Sequence, residues 1–459
     1  MVGMDFGQMQ EWMEMTLLNE THDPNSMSWV ESANEQGNPF PLQNLPYAVF
    51  RRKGSDEPFR VGVGIGDKIL DLTTLGQSGV ARPTQLDIPE SLYASTLNRF
   101  MAEGNIIWTR TRKILFEVLR QGSPYEGKVP DCLIDQSKAE YGLPATIMDY
   151  TDFYASIDHA TNIGKLFRPD NPLMPNYEWV PIAYHGRSSS IVVSGEPIVR
   201  PNGQIRPSVD TPPYVSACKK LDYEMEVGLF VGAGNQRNVP IPIDEAERHL
   251  FGICLLNDWS ARDIQAWEYQ PLGPFLGKNF ATTLSPWIVT MEALAPFRTS
   301  EKRAGDRTLL PYLNSEKEGA NLGIDMYLDV SIQSPKMKEE GLPPKCLGLS
   351  NFKYSYWTPA QMVAHHTVNG CNLRAGDLFG SGTMSGPGAD QTGALIELTQ
   401  GGKLPIQISN TENRSFLEDG DTVFMTAWCE RDGYRAIGFG GCNGTIMSAA
   451  DQVDRKYEG

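Results

Sequence analysis

The run Asp222-Tyr-Glu-Met-Glu-Val-Gly-Leu-Phe-Val231 places two demands on any fold that contains it. It is β-prone, and the two-residue period of a strand puts Glu224 and Glu226 on one face and Tyr223, Met225 and Val227 on the other. The apolar continuation to Val231 predicts burial. Carboxylates sharing a face of a buried strand repel each other, and burial raises their pKa values and discharges them unless a cation or basic groups compensate. A bound cation is the simpler compensation, so the chain is expected to fold around an inward-facing acidic site.

Two further acids point the same way. Asp258 follows the apolar run Leu250–Leu256 and precedes Trp259-Ser-Ala-Arg-Asp-Ile-Gln265, which predicts a helix with Ser260 as its cap. A carboxylate at such a strand-to-helix corner faces a cleft more readily than a core. Asp152 lies in Met148-Asp-Tyr-Thr-Asp-Phe-Tyr154, an aromatic-acidic loop shortly before His159, and both reach one site only if that loop wraps it. Asp152, Glu224, Glu226 and Asp258 therefore read as an oxygen cage for a hard divalent cation. With no Cys nearby, the donor set selects magnesium or calcium, with manganese third, over zinc or iron. Spacing alone leaves open that the four are separate surface charges on an acidic chain.

Composition narrows the partners. The 459 residues leave room for two or three domains or one large enzyme fold. With 40 basic and 56 acidic residues, the formal charge of −16 argues against nucleic acid or anionic membrane as partners. No apolar run approaches a membrane-spanning length, and the stretch from Met1 to Glu14 carries acids and no Arg, unlike a targeting segment. A cytoplasmic protein is expected. The seven cysteines are scattered, odd in number and without CxxC spacing, as suits a reducing compartment.

Short β-prone runs separated by Gly, Pro and Asp turns predict a β-rich α+β protein with antiparallel or mixed sheets. Residues 1–40 read as a polar extension of disordered composition, 41–143 as a small β domain and 144–459 as the catalytic domain. Tyr47–Arg51, Arg60–Gly66 and Lys68–Leu72 predict strands, and Ile107–Gln121 a helix. The small domain holds no His and no comparable acid cluster, so chemistry is expected after it. His159, in a predicted loop, reads from its surroundings as a structural histidine, and Lys278 and Glu397 remain unassigned. His185 is a further candidate. His365 and His366 adjoin on a helix opened by Thr358-Pro359 with Gln361 in capping-box position. Neighbouring helical residues point about 100° apart, so this pair is read as structural, hydrogen-bonding across a subunit contact rather than chelating.

Several long blocks then recur in a recognisable order: Asp152-Phe-Tyr through His159, Val180–Ser189, Tyr223–Glu226, Asn257–Gln265, Pro271–Lys278 and Gly380–Gly386. Together, from about Tyr47 onward, they resemble the fumarylacetoacetase, or fumarylacetoacetate hydrolase, family. The wider superfamily of acylpyruvate hydrolases and oxaloacetate decarboxylases shares the Glu-x-Glu and Asp pattern but lacks most of these blocks, and supplies the alternative reading. The resemblance implies an SH3-like N-terminal barrel, a mixed-sheet catalytic domain of β-sandwich-roll type, a homodimer, and hydrolysis of a carbon–carbon bond in the diketo acid 4-fumarylacetoacetate, ending tyrosine and phenylalanine breakdown.

It also implies roles. Asp152, Glu224, Glu226 and Asp258 fall on metal ligands, His159 on the general base and Glu397 on the carboxylate that orients it. Arg262, Gln265 and Lys278 fall on groups stabilising negative charge. Tyr154, Arg168, Gln265, Tyr269 and Thr383 fall on substrate contacts, and Arg168 suits a dianionic substrate on an acidic protein. A second cation is implied at Asp258 with Lys278 and Thr282; an ammonium is a poor ligand, so carbonyl or water contacts are expected there. The Gly380–Gly386 segment is expected to be a rim presenting Thr383. These residue types match the reaction, because adding hydroxide to a carbonyl and expelling an enolate both build negative charge. Imidazole takes a proton from water near neutral pH, and a carboxylate fixes its tautomer.

Overall fold

A computed structural model describes residues 18–78, 87–301, 309–315 and 322–449. The protein is β-rich with mixed sheets. In the N-terminal part, strands Tyr47–Arg52, Arg60–Ile65 and Lys68–Asp71 form an antiparallel meander, and the sheet is completed by Leu133–Asp135 beside the third strand and Ala139–Gly142 beside the first. The predicted helix is present at Asn105–Leu119, two residues earlier than the apolar pattern placed it.

Residues 18–40, read as a disordered extension, are instead seated on the rest of the chain. Val30, Ala33 and Phe40 are buried, and Asn19 Nδ2 donates to Glu292 Oε1 at 2.8 Å. Arg112, buried in the helix, explains how a polar segment is held: it donates to Thr21 Oγ1 (2.9 Å), Asn44 O (2.8 Å) and Gln43 O (2.5 Å). A desolvated guanidinium with three acceptors fixes the chain that provides them. The first part of the extension, residues 1–17, lies outside the described residues.

The larger part is built on two sheets. In the first, neighbouring strands run Ala183–Gly186, Tyr150–Phe153, Leu378–Gly380, Met225–Val231, Leu250–Asp258, Thr282–Leu284 and Ile191–Val193, with Val289–Thr290 also pairing the long 250–258 strand. Most pairs are antiparallel, but 378–380 runs parallel to 150–153, and 282–284 parallel to 191–193. The second sheet orders Lys345–Asn351, Tyr327–Gln333, Thr422–Cys429, Ile437–Met447 and Ile198–Val199.

Every residue of Met225–Val231 is buried. One face, carrying Met225, Val227, Leu229 and Val231, packs into the core shared with the second sheet; Phe230 on the other face joins the core of the N-terminal part. That second core includes Phe251, whose ring meets Trp108 at 5.3 Å and Tyr47 at 5.7 Å. The N-terminal part thus covers the face that alternation alone would leave to solvent, and a strand buried on both sides is a near-continuous apolar run.

Candidate active site

Three carboxylates converge on adjacent strands. Asp152 and Gly380 are partners in the parallel 150–153/378–380 pair, Gly380 and Gly228 are partners in the next, and Glu226 lies opposite Leu256 on the strand that ends at Asp258. Ligand atoms of Asp152, Glu226 and Asp258 all lie within 4.8 Å of one another, and all three residues are buried. Gly380 makes this possible, because a Cβ there would sit 2.6 Å from Asp152 Oδ1 and 3.0 Å from Glu226 Oε2. Asp152, expected in a loop, is on a strand: the aromatic residues around it are its β-formers rather than loop anchors.

The cluster is short of positive charge. Asp258 accepts from Lys278 Nζ at 2.6 Å and Tyr184 Oη at 3.1 Å, and Glu226 Oε2 accepts from Gly382 N at 3.1 Å. Among the described residues, Asp152 Oδ1 and Glu226 Oε1 have no hydrogen-bond partner. Burial first, then the Asp258 charge, pushes Asp152 well above the usual carboxylate range. Burial and Asp152 do the same to Glu226, and burial raises Asp258 against the pull of Lys278. Orphaned, crowded carboxylate oxygens are a hard-cation donor set, so the residues fit a magnesium or calcium ion.

Glu224 is in a different state. It follows the same phase as Glu226, but its carboxylate is taken by Arg262 Nη1 at 2.8 Å and by Lys278 Nζ. Burial would raise its pKa; the Lys278 and Arg262 charges outweigh burial and hold it at about 2. It is not among the three carboxylates that converge.

His159 and Glu397 meet as a buried pair, with Nδ1 2.7 Å from Glu397 Oε1. His159 is not in a loop but in helix Ile157–Phe167, where the Ser156 side chain caps by accepting from the His159 amide at 3.2 Å. Glu397, unassigned from its own surroundings, sits on a short helix, Leu395–Leu398, and is 9 % exposed. Asn162 Nδ2 and Ser385 Oγ each donate to Glu397 at 2.8 Å. Burial would raise Glu397, but the His159 charge and these bonds together lower it. With Nδ1 engaged, Nε2 of His159 is the nitrogen left for chemistry. Asn162 is one helical turn from His159 and could have been found by that spacing; Ser385 and Tyr184 carried no sequence signal of their own.

Tyr154 joins the two groups. Its ring packs edge-on against His159 at 5.5 Å, and charges on Glu224, Glu397, Arg262 and Arg168 all act on its hydroxyl, whose pKa burial raises. Arg262 and Gln265 share one face of helix Arg262–Glu268, with Nη1 to Oε1 at 3.3 Å. Ser260 is not that helix's cap: it lies on the strand Ser260–Ala261, with its hydroxyl on the Asp258 carbonyl. Thr282 lies directly across the sheet from Asp258, and Thr383 Oγ1 is buried with no hydrogen-bond partner among the described residues. Arg168 and Tyr269 stand farther out. Arg168 donates to Pro172 O at 3.3 Å, and Tyr269 is 39 % exposed, with its hydroxyl accepting from Gln270. The other histidines weighed from the sequence are placed differently: His185 is exposed, His365 bonds Tyr312 at 3.0 Å, and His366 bonds Thr151 at 2.9 Å while stacked on Phe379. His365 and His366 thus each have a partner within the chain, as suits a structural pair. The capping box on their helix is present.

Comparison with known proteins agrees over most of the chain. Residues 149–447 match the family described as fumarylacetoacetate (FAA) hydrolase C-terminal, and 43–144 the one described as fumarylacetoacetase N-terminal. The chain is 48 % identical over 429 residues to the fumarylacetoacetase of Oryza sativa subsp. japonica, covering 92 % of this chain and 97 % of that one. To the Homo sapiens fumarylacetoacetase it is 46 % identical over 433 residues, covering 92 % and 99 %. A solved fumarylacetoacetate hydrolase from psychrophilic Exiguobacterium antarcticum shares the fold at TM-score 0.50 and 16 % identity, over 88 % of this chain and 99 % of that one.

Proposed function

The chain belongs to the fumarylacetoacetate hydrolase family, and on that premise we propose that it hydrolyses the carbon–carbon bond of 4-fumarylacetoacetate to fumarate and acetoacetate, the last step of tyrosine and phenylalanine breakdown. The observation that carries the reading is a buried His159–Glu397 pair beside a buried carboxylate cluster, on a chain that aligns with fumarylacetoacetases almost end to end.

Asp152, Glu226 and Asp258 are the residues that would hold the ion, with Glu224 as a fourth oxygen donor and a second ion assigned beside Asp258, Lys278 and Thr282. When bound, magnesium or calcium would polarise the diketone and stabilise the enolate. His159 takes a proton from water through Nε2, while Glu397 holds the tautomer and stabilises the imidazolium. Asn162 and Ser385 keep the Glu397 carboxylate in place. The hydroxide adds to the acyl carbon, the carbon–carbon bond breaks, and the proton taken from water is the one the departing carbon requires. Arg262, Gln265 and Lys278 present donors to the developing negative charge, where one well-placed donor is worth about 3 kcal/mol. Tyr154, Arg168, Tyr269 and Thr383 are assigned to substrate, with Arg168 and Tyr269 toward the entrance.

The same reading assigns an SH3-like barrel to 41–143, supported by its five strands with the last returning beside the first, and a β-sandwich roll to 144–459. It also assigns a cytoplasmic homodimer, from the family resemblance. The test is loss of the diketone's ultraviolet absorbance with purified protein, before and after EDTA and with magnesium or calcium restored. Cation-dependent formation of fumarate and acetoacetate is expected. Turnover of oxaloacetate or an acylpyruvate in its place would shift the assignment to that branch of the superfamily.

A further inference from the structure

We propose that Asp222 is a positioning residue that ties the two arms of this site together, the segment carrying Glu397 and the guanidinium of Arg262. The inference deepens the functional reading above and rests on it. Asp222 ends the short strand Leu221–Asp222, paired with Ser260–Ala261, and is completely buried. Its Oδ1 accepts from Tyr223 N and Leu395 N, each at 2.9 Å. Its Oδ2 accepts from Ile396 N at 3.1 Å and Arg262 Nε at 2.9 Å, with Arg262 Nη2 2.8 Å away. Each of these partners is a donor, so the carboxylate is used close to its acceptor capacity.

Consider first the arm that carries the base pair. The helix Leu395–Leu398 has four residues, and its N-cap, Ala394, offers no side-chain acceptor. Its first amides would be buried orphans. Asp222 takes the amides of Leu395 and Ile396 from 173 and 174 residues away in sequence. Glu397 is the next residue, so the same bonds fix the backbone from which it reaches His159.

The other arm is set by the opposite side of the same carboxylate. Asp222 occupies the Nε–Nη2 edge of Arg262, which leaves Nη1 for Glu224 at 2.8 Å and Gln265 at 3.3 Å. The rotation of a planar guanidinium is fixed by whichever edge is held, so Asp222 decides which edge faces the cluster. One side chain therefore registers the His159–Glu397 pair against the Arg262 group, and it does so without reaching the cleft. An amide cannot replace it: asparagine offers one acceptor oxygen and turns an NH₂ toward groups that are all donors.

The test is Asp222→Asn in the full-length protein, assayed on 4-fumarylacetoacetate with saturating magnesium or calcium, beside Glu397→Gln and the double variant. A positioning role predicts kcat lower by about 10²-fold with KM changed less than about threefold, since small misplacements of reacting groups cost that much in rate. The double variant is expected to lose less than the product of the two single losses, because the effects share one path. Independently of activity, amide hydrogen exchange at Leu395 and Ile396 is expected to quicken in Asp222→Asn, with exchange at Val49 and Val63 of the N-terminal sheet unchanged. A folded Asp222→Asn with wild-type kcat, a change in KM alone, or fully multiplicative losses would overturn the proposal and leave Asp222 as a structural cap. If the wild-type protein does not turn over this substrate, the functional reading fails, and the exchange measurement alone decides the tie: unchanged protection at Leu395 and Ile396 sinks it. Should Asp222→Asn not fold, Asp222→Ser, which fits the same space and keeps one acceptor, carries the same expectations and the same refutations.

Discussion

The two halves of the site hold the same residue type in opposite electrostatic states. On one side Glu224 and Glu397 are matched, by Arg262 and Lys278 in the first case and by His159, Asn162 and Ser385 in the second, and both are held below the usual carboxylate range. On the other side Asp152, Glu226 and Asp258 share one Lys278 contact, one tyrosine hydroxyl and the Gly382 amide among them, keep two oxygens without partners among the described residues, and are all raised. Burial is nearly complete on both sides, so desolvation does not separate them. The difference is compensation: the matched half is a finished hydrogen-bonded structure, and the unmatched half is finished only by a cation.

The largest expected effect comes from breaking the matched half at its centre. His159→Ala removes the group that takes the proton, and kcat is expected to fall by about 10⁴-fold while calorimetric binding of magnesium or calcium stays as in the wild type. Full activity in that variant would remove His159 from the base role. Glu226→Gln sharpens the contrast from the other side. Cation affinity should fall by at least about 10-fold, yet the cation-free variant should unfold at higher temperature than cation-free wild type, because one of three crowded charges is gone.

That variant also tests the sign of the pH dependence. In cation-free protein the raised Glu226 keeps a proton that the unfolded chain gives up near pH 4.3 or so, about its reference value. The folded state then binds more protons, so its stability falls as pH rises from there toward the raised folded value. Glu224, held at about 2, acts the other way: its contribution is complete above its unfolded pKa and is lost as pH falls through about 2. Thermal melts of EDTA-treated wild type should lose stability as pH rises above the acid range, and Glu226→Gln should flatten that slope. An unchanged slope would remove Glu226 as its source. The smallest effect is expected from Asn162→Ala, which deletes one of the donors on Glu397 and should lower kcat about tenfold, measured at saturating substrate and cation.

Much of this was legible in the residues, for reasons that can be stated one position at a time. The phase of Glu224 and Glu226 on a β-prone run, the corner position of Asp258 and the all-oxygen donor set depend only on local periodicity and ligand chemistry. The same phase includes Asp222, so the signal for it was present, but the first residue of a β-prone run looks like a turn when its partners are 40 and 173 residues away. Asp152 and His159 read as loop residues because a short strand and a helix capped by Ser156 alternate too quickly for a periodic signal to develop.

What the sequence determined by itself was an acidic, β-rich chain with a buried carboxylate site and the residues from which that site is made. Tertiary structure alone decided which carboxylates are matched and which are not. Glu224 and Glu226 are indistinguishable in phase and chemistry, yet one lies against Arg262 and Lys278 and the other against Asp152 across Gly380. A pKa is set by the charges and donors within a few ångströms, and those arrive from strands and helices hundreds of residues apart, so the division of labour among identical side chains exists only once the chain is folded.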